Sequence, residues 1–265
     1  MILISNAFRC FSLFSLLLGA VCFFASCSFH RAESSVLNDN SYKDQKIKTE
    51  SPEKKTKKAF LEKTQNNKDA YSSVDEIRTS FKENLDFRVK YELRHSSVAV
   101  FAIHGGDIEC GTSEMAVLIA GEDWSYYLFE GIGADAKKYH ITSAKFDDIP
   151  ALEIAADSML GISIHAQRGA GEQICIGGGN SEAAALMADN LAGAGFDIEY
   201  PCRRLPGKSP RNIVNRTSLQ GIQLEITQPL LDRMSADSAY SAKFAKIVRS
   251  AAEAYLGSDA SSQQE

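Results

Sequence analysis

Residues 98–103, Val-Ala-Val-Phe-Ala-Ile, are the stretch that most constrains the fold. Every residue in this run is apolar and most favour β structure, which is typical of a strand buried on both faces of a sheet. Gly105 and Gly106 follow closely, and we expect a sharp turn there because glycine has no Cβ to restrict the backbone. Further along, strand-like and helix-like patterns alternate. The chain is therefore predicted to form an α/β domain with helices on both faces of a sheet.

The expected elements follow from apolar periodicity and from turn residues. We expect helices at residues 73–84, 113–120, 150–158, 181–191 and 230–256. We expect strands at residues 87–93, 98–103, 126–129, 139–142, 160–165, 173–176, 196–200 and 222–227.

Two histidines and one glutamate stand where strands are expected to end. His104 comes directly after the run at 98–103, and Glu109 follows on the same glycine-containing loop. His165 ends a second apolar run and also precedes a glycine-containing turn. Ligands of open α/β sheets bind beyond the carboxyl ends of the strands, and two His with one Glu are the protein ligands of many hydrolytic zinc sites. We therefore predict Zn²⁺ at His104, Glu109 and His165; the alternative is that each histidine is a satisfied structural residue.

Several segments, taken in order, resemble the phage poly-γ-glutamate hydrolase family. They are HGGDIE at 104–109, GTSE at 111–114, YHITS at 139–143, FD at 146–147, ISIH at 162–165, GG at 177–178, NIVNR at 212–216 and GIQLE at 221–225. The resemblance covers roughly residues 71–234, and the shared order is more specific than any one motif. It implies the fold of zinc carboxypeptidases, with a mixed β-sheet flanked by helices.

The same resemblance implies roles for individual residues. His104, Glu109 and His165 would be the zinc ligands, and Glu225 would be the general base. The residue after the third ligand is often Gly in the family and is Ala166 here. This departure leaves the ligand set intact and concerns the shape of the adjacent loop.

The strand expected at residues 221–227 places Glu225 in an unusual setting. Alternation puts Gln223 and Glu225 on one face of the strand, with Leu224 and Ile226 on the other. A carboxylate in so apolar a strand is unfavourable unless it is paired or functional. The alternative to a catalytic base is a structural Glu that bonds a neighbouring backbone group or an Arg.

A basic segment precedes that strand and suggests the substrate. Residues 201–224 contain no acidic residue and five cations: Arg203, Arg204, Lys208, Arg211 and Arg216. Guanidinium groups bind carboxylates bidentately, so the segment suits an anionic glutamyl peptide or polymer, unless it is only a solvated loop. We predict substrate contacts at Arg168, Arg211, Asn212, Asn215, Arg216 and His140. Of these, Arg168 is expected nearest the metal and His140 in the pocket wall.

The amino terminus has the pattern of an export signal. Residues 1–26 are predicted to be a signal peptide, since their second half is uncharged. Ala25 and Ser26 before Cys27 resemble the cleavage box of bacterial lipoproteins, although Phe24 stands where Leu is usual. This resemblance implies acylation of Cys27 and an exported, membrane-anchored lipoprotein of the cell envelope. A secreted product and a single retained N-terminal anchor are the alternatives.

The remaining domain boundaries follow from composition. Residues 27–69 are predicted to hold the lipobox cysteine and a flexible Lys-rich linker, residues 70–258 the hydrolase-like domain, and residues 259–265 a disordered tail. Residues 43–68 carry nine Lys and four acidic residues, whereas the whole chain has a net charge of −5. The domain is therefore acidic, which argues against a nucleic-acid partner. We expect a monomer.

The cysteines after Cys27 do not suggest a disulfide framework. Cys110, Cys175 and Cys202 are an odd number and show no CxxC spacing. Cys110 lies beside the candidate ligand loop, where it is either a fourth soft ligand or a small buried residue.

These observations favour a zinc-dependent amide hydrolase that cleaves γ-glutamyl linkages. Two other classes remain open. One is a non-catalytic envelope lipoprotein that uses the same fold to bind wall polymer. The other is a metal-independent α/β hydrolase, which needs a nucleophile elbow, and the chain contains no GxSxG sequence.

Overall fold

The computed structural model describes residues 69–262. The predicted signal peptide, Cys27, the linker up to residue 68 and residues 263–265 lie outside the described residues. No helix between residues 69 and 262 has the length and hydropathy needed to cross a membrane.

The described residues form seven strands and six helices. The strands are β1 (Phe87–Glu92), β2 (Val98–Gly106), β3 (Ser125–Gly131), β4 (Leu160–Gln167), β5 (Gln173–Gly178), β6 (Asp197–Glu199) and β7 (Gly221–Thr227). The helices are α1 (Val74–Ser80), α2 (Thr112–Ala120), α3 (Ile149–Asp157), α4 (Ser181–Gly193), α5 (Gln228–Ala236) and α6 (Ser238–Ser262). Short 3₁₀ turns lie at Ala136–Tyr139, Ser143–Lys145 and Ile213–Arg216.

All seven strands belong to one mixed sheet with the order β1-β3-β2-β4-β7-β5-β6. The strands β3, β2, β4 and β7 run parallel, whereas β1 and β5 pair antiparallel with their neighbours β3 and β7. The predicted mixed sheet flanked by helices is confirmed. Because β2, β4 and β7 are adjacent and parallel, the carboxyl ends that carry the candidate site residues meet at one edge of the sheet.

Side chains of β2 alternate between two apolar clusters, as expected for a strand covered on both faces. Val100 and Ala102 pack in a cluster with residues of α2, α4, α5 and α6. Phe101 and Ile103 pack in the other cluster with residues of α1 and α3. The strand predicted at 98–103 is confirmed, and it extends through His104 to Gly106.

Two predicted elements are wrong, for different reasons. Residues 139–142 were expected to be a strand, but Tyr139 ends the 3₁₀ turn Ala136–Tyr139 and residues 140–142 are not part of any strand. Tyr139 and Ile141 are both buried, and this spacing of two imitates strand alternation. The single helix expected at 230–256 is divided at Asp237, whose side chain accepts a hydrogen bond from the Tyr240 N–H and so begins a new helix. That helix continues to Ser262, into the segment predicted to be a tail.

One disulfide is present, which the number and spacing of the cysteines did not suggest. Cys175 on β5 is bonded to Cys202, 27 residues later, with the two Cα atoms 5.0 Å apart. The Cys202 N–H donates to the Ile176 carbonyl over 2.8 Å, so the backbone itself brings the thiols together. Cys110, which made the count odd, is half-buried and not part of this bond.

Candidate metal centre

His104 is positioned by an irregularity near the end of β2. The register of β2 against β3 shifts between Ala102 and Gly105, which turns the buried imidazole towards the sheet edge. Its Nε2 lies 2.9 Å from the Ile141 carbonyl oxygen. A carbonyl only accepts, so Nε2 carries the proton and Nδ1 presents a lone pair. Metal-binding histidines are commonly oriented by such a bond from the other ring nitrogen.

A tight loop after β2 brings Glu109 back into contact with His104. Gly106 has φ 64°, a left-handed conformation that favours glycine, and the Glu109 N–H donates to the His104 carbonyl over 2.8 Å. The carboxylate then lies with Oε1 3.0 Å from His104 Nδ1. Its other oxygen, Oε2, accepts from the Ala166 N–H over 2.9 Å. The loop therefore fixes the carboxylate between β2 and β4.

His165 on β4 completes the group. Its Nδ1 is 3.1 Å from His104 Nδ1 and 3.5 Å from Glu109 Oε2. Atoms from these three side chains that can bind a metal all lie within 4.8 Å of one another. Cys110 is not part of this group in the described part of the chain.

The electrostatics of the group fit a divalent cation. Burial lowers the pKa of His104 to about 4, helped by His140 and opposed by Glu109, so this ring is neutral at pH 7. Burial would raise the pKa of Glu109, but the two histidines outweigh it and hold the pKa well below its ordinary value. His104 Nδ1 and Glu109 Oε1 are thus two acceptors only 3.0 Å apart, an arrangement that a positive charge between them would stabilise. Two imidazoles and one carboxylate are a set that zinc prefers.

Glu225 lies beside the candidate ligands. It pairs in register with His165 across β4 and β7, and its side chain is buried. Gln223 donates from Nε2 to its Oε1 over 2.8 Å. Burial raises the pKa of Glu225 to about 7, although the charge of His165 acts in the opposite direction. A carboxyl group near neutrality can both accept and donate a proton.

The group opens into a cavity of about 400 Å³. Its lining combines strand residues with three loops. The strands contribute His104, His165, Ala166, Gln223 and Glu225, and the loop after β2 contributes Glu109. A second loop contributes His140 and residues 142–144, and a third contributes residues 204–209 with Asn212. Arg204 and Lys208 are the Arg and Lys residues in this lining, and both are exposed. The cavity thus has a buried side, which carries the candidate metal ligands, and an exposed basic side.

A short chain of hydrogen bonds links Arg204 to the strand of Glu225. Its guanidinium donates to Gln167 Oε1 over 2.7 Å, and Gln167 Nε2 donates to the Glu225 carbonyl over 3.0 Å. The loop that carries Arg204 begins at Cys202, which is bonded to Cys175, and Cys175 pairs in register with Glu225. Two independent connections therefore link the basic loop to the strand of Glu225.

The structure separates the predicted substrate contacts into two groups. His140 and Asn212 line the cavity, and Asn212 donates to Gln223 Oε1 over 2.7 Å. Arg168, Arg211 and Arg216 are exposed and outside the lining. Arg168, which was expected nearest the metal, lies in the exposed turn after β4 and does not line the cavity, whereas Arg204 does.

Asn215 is also outside the lining, and its contacts are those of a loop support. Its Nδ2 donates to the carbonyls of Gly207 and Ser209 over 2.7 and 2.9 Å, and its Oδ1 accepts from the Gly179 N–H. Arg204 and Lys208 belong to the basic segment, but the sequence did not single them out as substrate contacts. Only the fold shows which of the five cations face the cavity.

The chain matches known proteins over this whole domain. Residues 71–251 match the family described as poly-gamma-glutamate hydrolase. The SPbeta prophage-derived protein YoqZ of Bacillus subtilis (strain 168) is 36% identical over 163 residues, which are 60% of this chain and 59% of YoqZ. The chain thus spans less than two thirds of that relative. YndL of the same organism is 35% identical over 181 residues, which are 66% of this chain and 69% of YndL.

Two solved structures share the fold. A bacteriophage poly-gamma-glutamate hydrolase has a TM-score of 0.68 and 24% identity, over 72% of this chain and 99% of that chain. A structure of YndL described as apo and zinc-free has a TM-score of 0.60 and 34% identity, over 63% of this chain and 84% of that chain. On the match of residues 71–251 and on these relatives, the chain belongs to the poly-γ-glutamate hydrolase family.

Proposed function

We propose that the protein is a zinc-dependent amide hydrolase that cleaves γ-glutamyl linkages in poly-γ-glutamate or a related anionic peptide. The observation that carries the proposal is the convergence of His104, Glu109 and His165 beside the buried Glu225, in a cavity with a basic opposite side. Family membership supports the reaction class. The structure of YndL, a relative 34% identical to this chain, is described as apo and zinc-free. This description implies that YndL has a zinc-bound form, which supports zinc as the metal here.

The proposed metal would be held by His104, Glu109 and His165, with the Ile141 carbonyl and the Ala166 N–H fixing the orientation of two of them. A zinc ion in such a site lowers the pKa of a coordinated water towards about 7 and polarises a carbonyl group.

Glu225 is the proposed general base. It takes a proton from the attacking water and passes it to the leaving nitrogen of the amide. Its setting supports both steps, because burial raises its pKa to about 7 while Gln223 holds one carboxyl oxygen in place. The non-catalytic alternative is not favoured, since a binding module has no need of a buried carboxyl beside a ligand set.

The basic side of the cavity supports an anionic substrate. A γ-linked glutamyl polymer carries a free α-carboxylate on each residue, and guanidinium groups bind carboxylates with two parallel hydrogen bonds. Arg204 is fixed at one side by Gln167, which leaves the rest of its guanidinium for a substrate carboxylate. We propose Arg204 and Lys208 as the main carboxylate contacts, with His140 and Asn212 in the cavity wall.

We further propose that the protein is exported and tethered to the membrane through acylated Cys27. The support is the Ala25-Ser26-Cys27 sequence after an uncharged run. Replacing Cys27 by Ala is expected to move the protein from the membrane fraction to the soluble fraction or to leave an uncleaved precursor. An unchanged mature size together with unchanged membrane association contradicts acylation.

The test of the reaction uses purified protein and two polymers of equal charge, poly-γ-glutamate and poly-α-glutamate. We expect about one zinc per chain by mass spectrometry, hydrolysis of the γ-linked polymer only, loss of hydrolysis on chelation and recovery on adding zinc. The fragments, identified by mass, then distinguish internal from terminal cleavage. Hydrolysis that persists without metal contradicts the zinc mechanism, and failure of the zinc-loaded protein on γ-linked substrates contradicts the proposed activity.

A further inference from the structure

His140 is held between a metal ligand and a buried carboxylate. Its ring stacks on the ring of His104, with centroids 4.0 Å apart and an interplanar angle of 30°. It lines the cavity, and its side chain is 39% exposed. On the side away from that stack, His140 Nδ1 lies 3.0 Å from Asp69 Oδ1. No step of the proposed reaction yet uses this pair.

Asp69 is the first described residue, and its side chain is only 3% exposed. Besides His140, its Oδ1 accepts from the backbone N–H and the hydroxyl of Thr142, each over 3.1 Å, and its Oδ2 accepts from Lys145 Nζ over 3.1 Å. Burial alone would raise the pKa of Asp69, but these partners hold it well below its ordinary value. The side chain is therefore a carboxylate, which can only accept.

This fixes the tautomer of His140. Because Asp69 only accepts, His140 Nδ1 must carry a proton and donate it. Nε2 is then the ring nitrogen that remains for a molecule in the cavity. The stack on His104 fixes the plane of the ring, and the bond to Asp69 fixes its rotation in that plane.

We propose that Asp69 is a positioning residue that orients His140 so that His140 Nε2 contacts the substrate. This inference rests on the proposed function for the identity of the substrate, a γ-glutamyl peptide whose carboxylate or carbonyl oxygen meets Nε2. Asp69 lies outside the family match at residues 71–251, and composition placed it in the linker. Asp69 thus lies one residue before the predicted start of the domain at residue 70.

A second route, in which Asp69 acts on the metal site through Ile141, has to be distinguished by experiment from the route through His140. Asp69 also holds the backbone on one side of Ile141, whose carbonyl accepts from His104 Nε2. If Asp69 acted mainly through that carbonyl, its loss would weaken zinc binding. If it acts through His140, zinc remains and only substrate turnover changes.

The test is a double-mutant cycle on the full chain with Asp69→Ala, His140→Gln and the double variant. We expect Asp69→Ala to keep zinc and to lower kcat/KM by about 10-fold to 100-fold, by analogy with the loss of a carboxylate partner from a metal-binding histidine. The double variant should be no worse than His140→Gln, because the two residues act as one unit. Asp69→Asn, which keeps an acceptor oxygen, should recover much of the loss. Lys145→Met, which removes a partner of Asp69 but not His140, is the matched control and should stay near wild type.

Additive losses in the cycle, or loss of zinc from Asp69→Ala but not from His140→Gln, overturn the proposal. Nuclear magnetic resonance on ¹⁵N-histidine-labelled wild-type protein gives a reading that does not depend on activity or on the folding of a variant. Five histidines give few signals, and His140→Gln assigns the relevant one. We expect His140 to be protonated at Nδ1, and an Nε2–H tautomer overturns the proposal. If the tautomer is as expected but wild type cleaves no γ-glutamyl substrate, the proposed function has failed rather than the Asp69–His140 pairing.

Discussion

The two sides of the cavity are built in opposite ways. The strand side consists of His104, His165 and Glu225, all at most 5% exposed and all on adjacent parallel strands, with Glu109 on the loop that follows β2. The basic side, which we call the loop side, is an exposed loop, residues 203–211, without helix or strand. One side is rigid because the sheet and two apolar clusters hold it. The other is held by a disulfide and a few backbone and side-chain hydrogen bonds.

The difference in burial decides what each side can do. A buried charge is unfavourable unless it is neutralised, so the strand side places acids and imidazoles in contact. Exposed cations keep their hydration and stay available to an anion that arrives from solvent. We therefore expect substitutions on the strand side to change metal binding or chemistry, and substitutions on the loop side to change substrate affinity.

The largest expected effect is that of His165→Ala. A site with three protein ligands that loses one holds its ion weakly, so zinc content should fall from about one per chain to background and hydrolysis should disappear. Zinc is measured by mass spectrometry on the purified variant. His95→Ala is the matched control, because His95 is exposed and pairs only with Asp157 in the described contacts. Stoichiometric zinc in His165→Ala would remove His165 from the site.

Glu225→Gln should leave the metal in place and stop the chemistry. The amide keeps the shape of the side chain but cannot accept a proton, and loss of a general base lowers the rate by about 10²-fold to 10⁴-fold. The measurement is kcat for γ-glutamyl hydrolysis together with zinc content and peptide binding on one preparation. Glu114→Gln, on the exposed face of α2, controls for a general effect of losing a Glu. Near-normal hydrolysis would refute Glu225 as the base, and loss of zinc would make it a ligand.

The strand side could be predicted from the sequence because its signals are local. The apolar run before His104, the glycines after it and the alternation around Glu225 each lie within a few residues, and strand ends converge by the rules of parallel sheets. The existence of most helices and strands followed in the same way. There are two exceptions. Tyr139 and Ile141 are both buried, and their spacing of two imitates a strand. Asp237 caps a new helix within a sequence pattern that otherwise predicts one continuous helix.

The loop side could not be predicted because its contacts are remote in sequence. Cys175 and Cys202 are 27 residues apart, and Gln167 and Arg204 are 37 apart. The Asp69–His140 contact, in another part of the cavity wall, is remote in the same way, since the two residues are 71 apart. Composition marked residues 201–224 as basic but could not say which cations face the cavity. Only a tertiary arrangement distinguishes Arg204 from its neighbour Arg203, which pairs with Glu199.

Arg204→Gln is the test of the loop side, and a smaller effect is expected. KM for poly-γ-glutamate should rise about 10-fold, with kcat little changed. This is the low end of the free energy expected for a hydrogen bond to a charged group, because Arg204 is exposed and its charge is screened by solvent. Steady-state kinetics at two salt concentrations check this, since higher salt should reduce the difference. Arg203→Gln is the matched control, because Arg203 is the neighbouring arginine, is also exposed and lies outside the cavity lining. Equal effects of the two substitutions would mean that only net charge matters.

The smallest effect on hydrolysis is expected from removing the disulfide with Cys175→Ala and Cys202→Ala together. Loss of a crosslink over this separation should lower the free energy of unfolding by about 2–4 kcal/mol, which thermal or denaturant unfolding measures. Hydrolysis should change little, because the loop keeps other attachments: the Gly178 N–H donates to the Pro206 carbonyl over 2.9 Å, and Asn215 holds Gly207 and Ser209.

The changes in KM and kcat of that double variant then show which side of the cavity the disulfide stabilises. A modest rise in KM with kcat unchanged assigns it to the basic loop, since Arg204 follows Cys202 by two residues on an otherwise exposed segment. A fall in kcat instead assigns it to the strand side, because Cys175 pairs in register with Glu225 and its loss would loosen the base. Cys110→Ala, outside the disulfide, controls for cysteine loss alone. A fall in kcat as large as that of Glu225→Gln would break the comparison, because the loop and the strand would then form one functional unit.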